Sequence, residues 1–231
     1  MIIVSASMWQ EISEELTGGM VFTRSEKVAC FEFTHYTLNG EQIAIGITGT
    51  GKASAAAFAQ CAIMSFSPRL VLNIGTAGSA QESIKSKEII IGTETVQHDF
   101  DISAFGYERG ELPELNMAAL PCDIEFVQLA CKHAFGFNFH SGRMMTGDII
   151  VDGSVVRERN LDYFEALSAD MESAAIGQIC TMHNVPYAVI RGISDEGNDD
   201  RHSQFAENIG SVADLNGRLA YRVLEEYTTK R

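Results

Sequence analysis

Residues 168–200 read SADMESAAIGQICTMHNVPYAVIRGISDEGNDD. The first half predicts a helix that opens on an acidic tip, Asp170, Met171 and Glu172, and runs through small and apolar residues to Ile176, Ile179 and Cys180. Pro186 cannot continue a helix, so 183–186 ends it. Tyr187-Ala188-Val189-Ile190 is a short apolar run suited to a buried parallel strand. That strand ends in Arg191-Gly192-Ile193-Ser194-Asp195 and gives way to a polar loop. Ligands of open α/β sheets gather at the carboxyl ends of strands. If they converge, the helix and the strand end deliver Glu172 and Asp195 to one cleft. The plainer reading is an acidic first turn favoured by the helix dipole, beside a solvated Asp-rich loop.

Strands and helices alternate outward from this stretch. Ile2-Ile3-Val4 predicts a first strand, leading into a helix start at 7–12 with Ile12 and Leu16 on one apolar face. Glu11 then sits near a strand's carboxyl end, although a single helical Glu is more often a surface group. Apolar runs at 28–33 and 36–38 predict strands, and Asn39-Gly40 is a hairpin signal before a second arm at 42–48. Gly49-Thr50-Gly51-Lys52 leads into an Ala-rich helix over 53–64. Such a loop can bring backbone amides close to an anion, but it has neither Walker nor GxGxxG spacing. Leu70-Val71-Leu72-Asn73-Ile74 predicts another buried strand, opening into Gly75-Thr76-Ala77-Gly78, where small residues let a ligand approach the backbone. Further strand-like runs lie at 87–96 and 138–145, with helices over 123–135, 155–160 and 203–228. Ile150 and Val151 offer an apolar wall for a flat ligand, or ordinary core.

Composition bounds the rest. A chain of 231 residues that is 45% hydrophobic is long enough for one large domain with a buried core. A net charge of −14 argues against nucleic acid and anionic membrane as partners. No apolar run reaches membrane-spanning length, and the start has no basic segment before an apolar one. Five scattered cysteines fit a reducing, cytoplasmic setting better than a disulfide framework. His98-Asp99-Phe100-Asp101 has metal-ligand residue types, but no second ligand set accompanies it. The long loop over 103–117 carries Phe105 and Tyr107, residues that call for a surface to bury against.

Taken in order, these segments resemble the 5′-methylthioadenosine/S-adenosylhomocysteine nucleosidases of the nucleoside phosphorylase and hydrolase superfamily, over nearly the whole chain. The resemblance rests on Ser7-Met8 with Glu11, Gly49 to Lys52, Asn73 to Gly78, HDFDISAFGY at 98–107, Thr146-Gly147-Asp148, Asp170 to Ala175, and Arg191 to Asp195. It implies a single α/β domain over 1–231, built on a central mixed, twisted sheet flanked by helices, and a homodimer. It implies hydrolysis of the N-glycosidic bond of 5′-methylthioadenosine or S-adenosylhomocysteine, in methionine salvage, with water as nucleophile and no metal or cofactor. Glu11 would activate the water and Asp195 would protonate purine N7. Glu172 would hold the ribose hydroxyls with Met171 against the sugar. Gly78, Thr76, Ser194, Ile150, Val151 and Phe205 would complete the adenine nucleoside site. His98 and its neighbours would serve an interface or the substrate tail.

Three departures from the family pattern bear on substrate preference. Ile150 stands where an aromatic residue is more usual, Gly192 where alanine is, and Asp170 where glutamate is. Methylthioadenosine, adenosylhomocysteine, 5′-deoxyadenosine and a futalosine all remain chemically open. A phosphorylase on the same fold is the alternative reaction, though the Glu11 carboxylate would repel phosphate at close range. A binding protein without turnover is a third class.

Overall fold

The computed structural model describes residues 1–150, 163–198 and 200–230. Its spine is strand β5, which pairs with three other strands. The chain begins with β1 (Ile2–Ala6), then forms β2 (Val21–Val28), β3 (Phe31–Leu38), β4 (Glu41–Ile47) and β5 (Leu70–Ser79). After these come β6 (Ile89–Gln97), β7 (Leu120–Pro121), β8 (Phe139–Thr146), β9 (Ser168–Asp170) and β10 (Tyr187–Asp195). The helices are α1 (Glu14–Thr17), α2 (Lys52–Phe66), α3 (Ile124–His133), α4 (Ser173–Met182) and α5 (Arg201–Thr229), with 3-10 turns at Trp9–Glu11 and Ser103–Phe105.

β5 is buried along nearly its whole length, as the run Leu-Val-Leu-Asn-Ile requires of a strand covered on both faces. One edge pairs in parallel with β1 through Asn73 and then, at Gly78 and Ser79, antiparallel with β9. The other edge pairs in parallel with β10. β1 continues outward to β4, β3 and β2. β10 continues to β6, β8 and β9, and β9 returns to β5, so this half of the sheet closes into a ring. The mixed α/β sheet is therefore partly a barrel. Helix α5 packs on β10 and β5, and α2 packs on α4. No helix among the described residues is long and apolar enough to cross a membrane.

Asn39 and Gly40 turn β3 into β4 with φ of +52° and +79°, the left-handed pair that a two-residue hairpin needs. Four boundaries differ from the sequence reading. The stretch 28–33 is not one strand, because the chain turns at Ala29 and Cys30 between β2 and β3. β2 lacked a signal because its residues are mostly exposed. The expected helix at 7–16 is a 3-10 turn and a separate single turn, with Ile12 extended between them. The helix expected from Asp170 starts at Ser173, since Asp170 ends β9. Gly75 to Gly78 stay in strand β5 and do not form a loop. The helix expected over 155–160 lies outside the described residues.

Candidate active site

The change of partner along the β5 edge creates the site. Pairing with β1 stops at Asn73 and pairing with β9 begins at Gly78, so the Thr76 amide faces a gap. Glu11 fills it. The 3-10 turn after β1 folds the chain back so that one carboxylate oxygen accepts the Thr76 amide at 2.7 Å and the Thr76 hydroxyl at 2.8 Å. The other oxygen accepts the Ser7 amide at 2.9 Å, the Ser7 hydroxyl at 2.8 Å and the Met8 amide at 3.3 Å. Glu11 is buried despite its charge, and its side chain is fixed by five donors from two elements. Gly75 is required beside it: a methyl group there would lie 2.8 Å from the Glu11 carboxylate and would collide with Arg191.

Arg191 sits in the middle of β10 and is fully buried. Its guanidinium donates to Asn73 Oδ1 at 2.6 Å, to Ser173 Oγ at 3.1 Å and to Asp170 Oδ2 at 3.3 Å, and lies 3.6 Å from Glu172 Oε2. The acidic tip is thus not the first turn of a helix: Asp170 ends β9, α4 starts at Ser173, and both carboxylates are buried. Burial works to raise the Asp170 carboxyl, but Arg191 and hydrogen bonds from Ser173 and Glu172 outweigh it and hold Asp170 below the usual carboxylate range. Glu172 differs. Burial pushes its carboxyl up to about 7, against the pull of Arg191 and of the Gly51 amide, which donates to it at 2.9 Å.

Asp195 ends β10 at its carboxyl end. Its carboxylate accepts the Ser194 hydroxyl at 2.9 Å and the Gly197 amide at 3.1 Å. Asn208 and Gln204 on α5 bond to Ser194 and Glu196 on either side of it, which ties the loop to the helix that carries Phe205.

These groups line one cavity of about 310 Å³. Glu11, Thr76, Gly78, Ile150, Met171, Glu172, Ser194, Asp195 and Phe205 all face it, and Val151 lies outside the described residues. Ser7, Met8, Asp170 and Ile149 also line it, as do Arg201 and His202 at the start of α5. The His98 segment disperses. Asp99 accepts Lys52 Nζ at 2.6 Å, whereas Asp101 caps the Ser103 amide at 2.9 Å. Among the described residues, no three His, Cys, Asp or Glu side chains converge on a point a cation could occupy.

The family model of the phosphorylase superfamily matches residues 2–229. A 5′-methylthioadenosine/S-adenosylhomocysteine nucleosidase of Glaesserella parasuis serovar 5 is 32% identical, over 97% of this chain and 98% of its own. The chain belongs to the phosphorylase superfamily, among its 5′-methylthioadenosine/S-adenosylhomocysteine nucleosidases. The solved nucleosidase of Neisseria meningitidis, in complex with methylthio-immucillin-A, superposes with a TM-score of 0.92 at 28% identity, covering 97% of this chain and 98% of that one. The futalosine hydrolase of Helicobacter pylori shares the fold at a TM-score of 0.91 and 24% identity, covering 97% of both chains.

Two of the departures from the nucleosidase pattern have local causes. At Gly192 a Cβ would come within 2.4 Å of Val212 and 3.0 Å of Asn216 Oδ1, so the α5 side chains leave room for hydrogen alone. Asp170 bonds to the Thr146 hydroxyl, to Ser173 and to Arg191 from the end of a strand, where its short side chain keeps the carboxylate beside the guanidinium. The Arg191 cluster behind the cavity was the part least visible in local pattern, which showed only a charge inside the run Tyr-Ala-Val-Ile-Arg-Gly-Ile.

Proposed function

We propose that this cavity hydrolyses the N-glycosidic bond of 5′-methylthioadenosine and S-adenosylhomocysteine, releasing adenine and the 5-substituted ribose. The observation that carries the proposal is the convergence of Glu11, Glu172 and Asp195 on one cavity, each held by a different element. Cleavage leaves cationic charge on the ribose, and adenine departs readily only when N7 is protonated. Asp195 is assigned the proton to N7, and Glu11 the alignment and deprotonation of water. Glu172 is assigned the ribose hydroxyls, with Met171 against the sugar. A Glu172 carboxylate on the ribose hydroxyls also places negative charge near the developing cation. Ile150, Val151 and Phe205 are assigned to the purine, with Thr76, Gly78 and Ser194 beside the substrate. The chemistry needs no metal or cofactor.

Incubation of the protein with 5′-methylthioadenosine in phosphate-free buffer, with free adenine as readout, tests the reaction. Turnover without phosphate is expected. Activity wholly dependent on added phosphate would make the protein a phosphorylase, and saturable binding without adenine would make it a binding protein. The same assay with futalosine and 5′-deoxyadenosine ranks the alternatives. The proposal includes a homodimer burying the exposed Phe105 and Tyr107, a cytoplasmic setting for five free cysteines, and a place in methionine salvage. A monomer of 25.3 kDa by light scattering at micromolar protein would remove the dimer.

A further inference from the structure

Helix α2 begins beside the cavity with an unusual arrangement. It has no acidic side chain in its own first turn and no side-chain cap. Its first two free amides instead meet carboxylates from distant parts of the chain. Gly51 N–H donates to Glu172 at 2.9 Å, and Lys52 N–H donates to Asp148 Oδ1 at 2.8 Å. Helix amides at this end favour negative partners. Asp148 is held from a second side, because its own amide donates to Asp99 Oδ2 at 2.8 Å. The second Asp99 oxygen accepts Lys52 Nζ at 2.6 Å, and Lys52 also reaches Gln97 Oε1 at 3.1 Å. Gln97 in turn donates to Gln178 on α4 at 2.6 Å. Asp99, Lys52 and Asp148 therefore form a closed polar clasp joining the end of β6, the start of α2 and the segment after β8. That segment continues directly into Ile149 and Ile150, which line the cavity.

We infer that Asp99 is a positioning residue for the nucleoside cavity, acting through Lys52 and Asp148 to hold the Gly51 amide on Glu172 and to set the Ile149–Ile150 wall. This deepens the nucleosidase reading and gives the His98-Asp99 motif a role in the site. Asp99 is mostly buried, and burial works against its charge; the Lys52 ammonium and the Asp148 amide outweigh this and hold its carboxyl below the usual carboxylate range. The clasp does not touch the reacting atoms. Its loss loosens the grip on ribose and purine while Glu11 and Asp195 keep the bonds described above. The charged groups facing Glu172 are Arg191 from β10, Asp170 from β9 and Glu11 from the 3-10 turn, and none of them belongs to the clasp.

The test compares wild type with Asp99→Asn, Lys52→Met and the double variant. KM and kcat for 5′-methylthioadenosine are measured together with calorimetric affinity for the same nucleoside and the melting temperature. We expect each single variant to raise KM and weaken affinity about tenfold, with kcat within about threefold of wild type. The double variant should be no worse than the weaker single one, because both remove one unit. Asp148→Asn serves as a further variant if Asp99→Asn does not fold. Unchanged KM and affinity in folded variants, whatever the melting temperature, would overturn the inference. So would a fall confined to kcat, or additive losses in the double variant. A wild type that binds the nucleoside without cleaving it fails the nucleosidase reading alone, and the variant affinities still decide the clasp.

Discussion

Arg191 Nη2 and Asn73 Oδ1 lie 2.6 Å apart, joining the centres of two neighbouring strands from positions 118 residues apart in the chain. That bond anchors the only cation in direct contact with Asp170 and Glu172 among the described residues. Removing the guanidinium leaves buried negative charge without compensation, which costs about 3–5 kcal/mol. Arg191→Met is therefore expected to lower stability by that order, seen as a shifted urea midpoint. A variant as stable as wild type would mean that the carboxylates find other partners.

The Asp195 and Glu11 carboxylates can be separated from binding. Asp195→Asn keeps size and polarity but removes the transferable proton. Adenine release should fall by roughly two to four orders of magnitude, with nucleoside affinity largely kept. Glu11→Gln should also stop hydrolysis, by losing the base for water, and the double variant should not be additive. A folded Asp195→Asn protein with near-wild-type turnover would take Asp195 out of the mechanism.

Glu172 links stability to pH. Its folded carboxyl titrates at about 7, against 4.5 for an ordinary glutamate. Between these values the folded protein keeps a proton that the unfolded chain has released. Raising pH through this window therefore lowers stability, and the loss is complete above pH 7. On the order of 3 kcal/mol is at stake, at about 1.4 kcal/mol per unit. Urea unfolding at pH 5, 6, 7 and 8 should show this decline in wild type and less of it in Glu172→Gln. Parallel slopes in the two proteins would refute it.

Gly192→Ala tests the fit of α5 against β10. The added carbon meets Val212 and Asn216, and overpacking of this kind costs about 1–3 kcal/mol. A lower melting temperature is expected, restored in part by Val212→Ala. An unaltered melting temperature in Gly192→Ala would show that α5 can shift without cost.

Local pattern carried much of this structure. The apolar runs at 70–74 and 187–190 and the Asn39-Gly40 turn were legible because burial and φ leave periodic or compositional marks. β2 was not, because an exposed edge strand needs no apolar alternation. Gly75 to Gly78 looked like a loop because glycine is depleted in strands. Here close approach of Glu11 and Arg191 excludes a side chain at Gly75 while the backbone stays in the strand. Glu11, Glu172 and Asp195 could be named from the family resemblance, but the gap in β5 pairing that receives Glu11 depends on strands far apart in sequence. The Asp99 clasp was hidden for a similar reason: Asp99 and Lys52 are 47 residues apart, and Asp99 and Asp148 are 49 apart.

The ring of strands also has a consequence for how the protein is made. Its closing strand β10 pairs with β5 across a separation of 116 residues at Tyr187 and Val71, and among the described residues it carries the guanidinium that balances the acidic side chains around it. Contacts this distant form late, because closing the intervening chain is entropically costly. A ribosome-bound chain ending before residue 187 would already contain Glu11, Asp170 and Glu172 and have no Arg191 to set against them. Their mutual repulsion then opposes premature docking of the incomplete chain. The cavity and about the last fifth of the chain, from residue 187 onward, are accordingly expected to take their places in one step during biosynthesis.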